Sequence, residues 1–194
     1  MTNEILPQID FGIDFHTGGA SHNNYPQIRG VFSSGMEMEM AKAFGAPFII
    51  DSPFRDKSLR KTAAKGDKTI LVYEGGETLR LRKQVLDIGV AGMLRVMKYL
   101  NMRDDAPERS YNPIFIRSSL WIRAKIAGLH HAHVRNGNKI EKNQNLGLIT
   151  DPYGQFEKTI KSPVNGYVIG INNYPVVNMG DALLHIGIDD PGEE

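Results

Sequence analysis

The sequence predicts an α/β domain over residues 1–105, followed by a small all-β domain over residues 106–194. Three observations carry that expectation. Before residue 105, short apolar runs alternate with helical patterns, as in a layered, mostly parallel sheet. From about Ile114 onward no helical period is visible, and short β runs are separated by turn residues. Finally, Ile140, Asn143, Leu146 and Ile149 recur as Val177, Gly180, Leu183 and Ile186, offset by 37 positions. Both copies read apolar, turn, Leu, x, x, Ile, and two such units suggest a small barrel or sandwich with pseudo-twofold symmetry.

The elements follow in order. Phe11-Gly12-Ile13-Asp14-Phe15 reads as a strand. Ser34 to Phe44 reads as a helix ended by Gly45. Pro47 to Ile50 is a second strand and Thr69 to Tyr73 a third, rich in β-branched and apolar residues. Between them Asp56 to Lys65 is a short basic helix closed by Gly66. From Lys83 to Leu100, Leu86, Val90, Met93, Leu94, Met97 and Leu100 recur at spacings of three and four, which predicts a long helix with these residues on its buried face. Asn101 to Pro113 is polar, carries two prolines and reads as a linker. Beyond it, turns are expected at Asn136-Gly137, Asp151-Pro152-Tyr153-Gly154, Asn165-Gly166 and Asn178-Met179-Gly180.

Composition removes several function classes. The chain has 194 residues, 41% hydrophobic and 23% charged, enough to bury a core. Net charge is +1, and Lys and Arg are scattered, so no nucleic-acid footprint stands out. No apolar run approaches the roughly 18–20 residues of a membrane span. Met1 to Glu4 has neither the basic region nor the apolar core of a secretory signal. There is no cysteine, which excludes a thiol nucleophile, disulfides and thiolate metal sites, and fits a cytoplasmic location.

The chemistry concentrates in Asp14-Phe15-His16-Thr17-Gly18-Gly19 and Tyr73-Glu74-Gly75-Gly76-Glu77. His16 stands at a strand end, where a lone histidine is more often structural than a metal ligand, but the tight turn Thr17-Gly18-Gly19 that holds the imidazole there favours the ligand. Asp14 is on the same side of the strand, placed to accept a hydrogen bond from a metal-bound imidazole. Glu74 continues an apolar strand and suits a general base that takes a proton from water and hands it to a leaving amine. Glu77 is its competitor, without that direct continuation. In the loop after His16, Arg29 could pair with a substrate carboxylate or form a surface salt bridge. His22 and Asn24 share that loop. His130, His131 and His133 read as surface of the β domain, and His185 as a half-buried strand residue. There is no G-x-S-x-G elbow, Walker loop or G-x-G-x-x-G after a strand.

The run from Asp14 to Arg29, D-F-H-T-G-G-A-S-H-N-N-Y-P-Q-I-R, resembles the succinylglutamate desuccinylase/aspartoacylase family of zinc-dependent amidohydrolases. Tyr73 to Glu77 looks like its second motif. Trp121-Ile122-Arg123-Ala124, Asp151 to Gly154, Ser162 to Gly166 and Gly180 to Leu183 extend the likeness over nearly the whole chain. The resemblance implies a partial carboxypeptidase-like α/β domain and a barrel-sandwich-like β domain. It makes His16 a zinc ligand, Asp14 its supporting carboxylate and Glu74 the general base and acid, with Asn24 and Arg29 as candidate substrate-binding residues. The implied reaction is hydrolysis of the amide of a small N-acyl compound such as an N-acyl amino acid. The family's H-x-x-E zinc ligands and its upstream N-R motif are not found here, so the chain is expected to correspond to the family's C-terminal portion and not to hold zinc tightly alone. Uncovered strand edges in such a portion predict self-association. The alternatives are a non-catalytic binding or scaffold protein that keeps the fold, or a sugar- or peptide-binding β domain with an α/β appendage.

Overall fold

The computed structural model describes residues 3–32 and 35–189. The chain divides into two compact units. The first comprises Met1–His16, Pro26–Gly75 and Leu81–Phe115. The second comprises Thr17–Tyr25, Gly76–Arg80 and Ile116–Glu194. Three strands run from one into the other: β1 (Phe11–Gly18), β2 (His22–Gly30) and β4 (Thr69–Glu77).

In the first unit the strand order is β1-β4-β2, continued by β3 (Phe48–Asp51) and β5 (Ile114–Ile116). β3 lies parallel to β2, with Gln27 opposite Phe48 and Arg29 opposite Ile50. Side chains alternate along each strand. Ile13, Ile28, Ile49, Leu71 and Tyr73 therefore turn to one hydrophobic cluster, closed by Met40, Ala41 and Phe44 of α1 (Gly35–Phe44) and by Ile88 and Val96 of α3 (Lys83–Tyr99). α1 stops where expected: Gly45 takes φ 70°, a left-handed turn that glycine adopts without a Cβ clash. Its expected first residue, Ser34, lies outside the described residues.

α3 corrects the sequence reading. Its buried residues are Ile88, Gly89, Gly92 and Val96, while Leu86 and Val90 are about half exposed. The expected buried face is thus rotated. The cause is steric. A Cβ on Gly92 would lie 2.4 Å from the Phe44 ring, and one on Gly89 3.0 Å from the Tyr73 ring. The helix packs through its small residues, which hydropathy spacing does not register.

β2 is a second correction, because a loop was expected there. The strand forms despite Pro26, which has no N–H to donate. β2 pairs with β11 through His22, Asn23 and Asn24, and with β3 through Gln27 to Gly30. The proline falls between the segments paired with β11 and with β3. The basic helix is shorter than expected, α2 (Leu59–Ala64), capped by the Ser58 hydroxyl accepting from the Lys61 amide at 3.2 Å. Residues 101–113 form no helix or strand, but they are packed down: Arg95 donates to Glu108 O at 3.1 Å, and Tyr111 rests on the core cluster.

The second unit holds β6 (Ser119–Arg123), β7 (Gly128–Ala132), β8 (Lys139–Ile140), β9 (Asn145–Thr150), β10 (Glu157–Lys161), β11 (Gly166–Asn172), β12 (Val176–Val177) and β13 (Ala182–Ile188). One sheet runs β11-β13-β6 with β8 alongside β11, and a second runs β10-β9-β7-β12. Both contribute to one hydrophobic cluster. The 37-residue repeat is visible in it. Ile140, Leu146 and Ile149 from β8–β9, and Val177, Leu183 and Ile186 from β12–β13, are all at most 2% exposed. The intervening Asn143 and Gly180 both take positive φ. The expected barrel is not closed among the described residues, which form two open sheets. No described helix is long and apolar enough to cross a membrane.

Candidate functional site

The alternation that sends Ile13, Ile28, Leu71 and Tyr73 into the core sends their neighbours to the opposite face of the sheet. There Asp14 and His16 of β1, Val72 and Glu74 of β4 and Arg29 of β2 line one cavity of about 250 Å³. The segment from Ser52 to Arg60, through the start of α2, supplies Ser52, Arg55, Ser58, Leu59 and Arg60 as its other wall. His16 and Glu74, far apart in sequence, thus share a pocket within the first unit.

A histidine–carboxylate contact and an ion pair organise it. His16 Nε2 is 2.9 Å from Asp14 Oδ2. A proton on Nε2 donated to that carboxylate leaves the lone pair on Nδ1, the tautomer that suits a metal ligand or proton acceptor. His16 is half exposed. Arg29 Nε lies 2.8 Å from Glu74 Oε2, and both side chains are largely buried, at 15% and 17% exposure. Burial lowers the pKa of Arg29, Glu74 opposes that, and Arg55 adds to it. The guanidinium stays charged at any ordinary pH.

Arg60 is the most enclosed of the basic groups on the helical side. It is 8% exposed and donates to Ser52 O at 3.2 Å, with its guanidinium carbon 5.7 Å from the Phe54 ring centroid. Desolvation lowers its pKa first, with Arg29 and Arg55 adding repulsion. Three guanidinium groups around one small cavity make it a natural host for an anion. Arg55 and Arg60 were not singled out from sequence, where Arg60 fell within the short basic helix expected over Asp56 to Lys65 and Arg55 just before it. The available signal was the repeated arginine in Arg55-Asp-Lys-Ser-Leu-Arg60, directly after a buried strand.

Apart from Arg29, the other residues singled out from sequence fall elsewhere. Asn24 is 6% exposed and sits in the ladder opposite Gly170 of β11. It is not among the residues lining this cavity. Arg29 faces Glu74 and is not on the surface. Glu77 is buried against Asn173 and 3.8 Å from Arg80. His130, expected on the surface, is 7% exposed, and burial with a nearby His131 lowers its pKa. His131 and His133 are exposed. His185, expected to be half-buried, is 5% exposed, stacked on Trp121 at 4.2 Å with Nε2 2.9 Å from Ser119 Oγ.

A catalytic zinc takes three protein ligands. Among the described residues no group of three His, Cys, Asp or Glu could share an ion. Asp14 is engaged by His16, and Glu74 faces a guanidinium. This donor set provides one imidazole with its supporting carboxylate and does not by itself fit zinc.

The profile of the Succinylglutamate desuccinylase/Aspartoacylase catalytic domain matches residues 1–100. No curated protein matches significantly. Among solved structures, the chain is similar to a succinylglutamatedesuccinylase/aspartoacylase from Rhodobacter sphaeroides, at 20% identity and TM-score 0.85 over 97% of this chain and 61% of that one. It is similar to the product-bound ectoine utilization protein EutE (DoeB) from Ruegeria pomeroyi, at 17% identity and TM-score 0.84 over 96% and 60%. A succinylglutamate desuccinylase from Silicibacter gives 16% identity and TM-score 0.81 over 96% and 60%. These likenesses establish a shared mixed α/β fold rich in sheet, and the chain spans about three fifths of the length of those relatives. With its first 100 residues matched by the catalytic-domain profile, the chain belongs to the succinylglutamate desuccinylase/aspartoacylase family.

Proposed function

We propose that the chain carries part of the active site of a zinc-dependent hydrolase acting on the amide bond of small N-acyl amino acids. Glu74 is the base that takes a proton from the attacking water and returns it to the departing amine. Arg29 orients its carboxylate. His16 is one zinc ligand, its ring set by Asp14. Arg55 and Arg60 receive a substrate carboxylate. Residues 1–105 form the catalytic portion, and residues 106–194 a barrel-sandwich-like β domain. The observation that carries this reading is the convergence of Glu74, His16 and three arginines on one cavity of about 250 Å³.

A complete zinc site needs two further ligands than these residues bring together. Calorimetric zinc titration of the chain is therefore expected to give an affinity weaker than micromolar, reduced again in His16→Ala. Sub-micromolar binding would contradict the assignment of ligands. Hydrolysis of N-acyl amino acids is expected only when a polypeptide bearing the remaining ligands is supplied, and Glu74→Gln is expected to abolish it.

The second reading is a non-catalytic protein that binds small carboxylates. The Arg29–Glu74 ion pair favours it, because the candidate base is already engaged. Carboxylate binding without hydrolysis, after supply of the missing ligands and zinc, would select it.

A further inference from the structure

Arg29 and Glu74 are close without being well joined. Nε of Arg29 lies 2.8 Å from Glu74 Oε2, yet this buried Nε–H makes no hydrogen bond among the described residues. The attraction is that of two charges, and a buried donor without an acceptor is a standing cost. Both side chains are largely buried, so the guanidinium cannot leave its anion for a neutral group without stranding its charge. A second carboxylate is the one partner that removes both difficulties. The cavity is built to admit it. Arg29 shares the walls with Arg55 and Arg60, and the three cations repel one another through the Arg29 charge. Against them stand two carboxylates, Asp14 and Glu74, and Asp14 is engaged by His16. One further negative charge relieves the excess.

We propose that Arg29 selects for ligands that carry a carboxylate: the incoming carboxylate takes Arg29 from Glu74, and Glu74 then turns Oε2 from the guanidinium to the attacking water. The selection rests on the reading of Glu74 as the base. Neither end state leaves a buried guanidinium without an anion, so exchange is allowed where simple opening of the pair is not. An acyl amide without a carboxylate has nothing to offer Arg29, and the base stays engaged. Arg29 is thus a specificity-determining residue that acts through Glu74. The linkage is reciprocal: Glu74 competes with the ligand for the same cation, so removing its charge strengthens binding through Arg29.

The exchange is read on the chain itself, by NMR of the Arg29 Nε–H and the Glu74 side-chain carboxyl carbon. N-acetylglycine should shift both over the same concentration range, and N-acetylglycinamide, which lacks the carboxylate, should shift neither. Glu74→Gln should tighten N-acetylglycine binding at least about fivefold, the low end of couplings between sites. That gain should disappear in an Arg29→Gln background whose circular dichroism is unchanged. If Arg29→Gln fails to fold, the carboxyl-carbon shift in the wild type still decides. A gain that survives in the Arg29→Gln background would reflect charge removal alone and overturn the exchange. So would binding that shifts Arg60 while Arg29 and the Glu74 carboxyl stay unmoved, a result that leaves the cavity assignment standing. Absence of N-acetylglycine binding would overturn both. Hydrolysis that survives Glu74→Gln once the remaining zinc ligands are supplied would overturn the base assignment and the selection with it, whatever the exchange shows.

Discussion

Arg29 and Glu74 form a largely buried ion pair, Nε to Oε2 2.8 Å, across the face of the sheet that also carries Asp14 and His16. Neither residue could be matched to the other from sequence, because 45 positions and three elements separate them. Removing one partner strands the other charge. Arg29→Met is expected to cost about 3 kcal/mol. Arg29→Met with Glu74→Leu should recover much of that loss. Urea unfolding of the two variants checks this, and equal losses would mean that Glu74 left without Arg29 carries no penalty.

The rotated face of α3 makes a second test. Gly92→Ala should destabilise by about 1–3 kcal/mol, since the new Cβ would lie 2.4 Å from a fully buried Phe44 ring. Gly19→Ala meets no atom within 4 Å and should change stability by less than about 0.5 kcal/mol. Thermal unfolding compares them.

Two buried titratable groups set opposite pH limits. Burial lowers the pKa of His130, so the unfolded chain binds its proton first as pH falls. Its contribution is present above the ordinary histidine range, near pH 6.5, and is lost as pH falls below it. Burial raises the pKa of Tyr73, whose hydroxyl donates to Val85 O at 2.7 Å. The unfolded phenol ionises first, so stability declines as pH rises above about 10. His130→Leu should flatten the acid limb and Tyr73→Phe the alkaline limb of a stability–pH profile.

The repeat predicts matched energetics. Leu146 and Leu183 occupy equivalent places and are both fully buried in one cluster. Each Leu→Ala substitution should cost about 2–5 kcal/mol. A loss at only one of the two positions would show that the copies are not equivalent in packing.

What could be read from the sequence follows from which signals are local. The repeat was legible because its apolar positions keep the same spacing around a turn, and all six fall in the core. The strands bearing His16 and Glu74 were legible as apolar runs. β2 was not, because Asn23, Asn24, Pro26 and Arg29 give it no β signature, and its partners supply the ladder from far along the chain. The buried stripe of α3 was displaced because Gly89 and Gly92 are defined by what approaches them. Arg55 and Arg60 escaped notice for a similar reason: their role comes from the strands that face them.

The shared cavity can be probed by NMR titration of the chain with an N-acyl amino acid, following the His16 ring and the arginine side-chain resonances. Binding there should shift His16, Arg29 and Arg60 together, and Arg60→Ala should weaken it at least tenfold, or about 1.4 kcal/mol. Saturable binding that leaves all three resonances unmoved, or no binding at any attainable concentration, would contradict the assignment of this pocket.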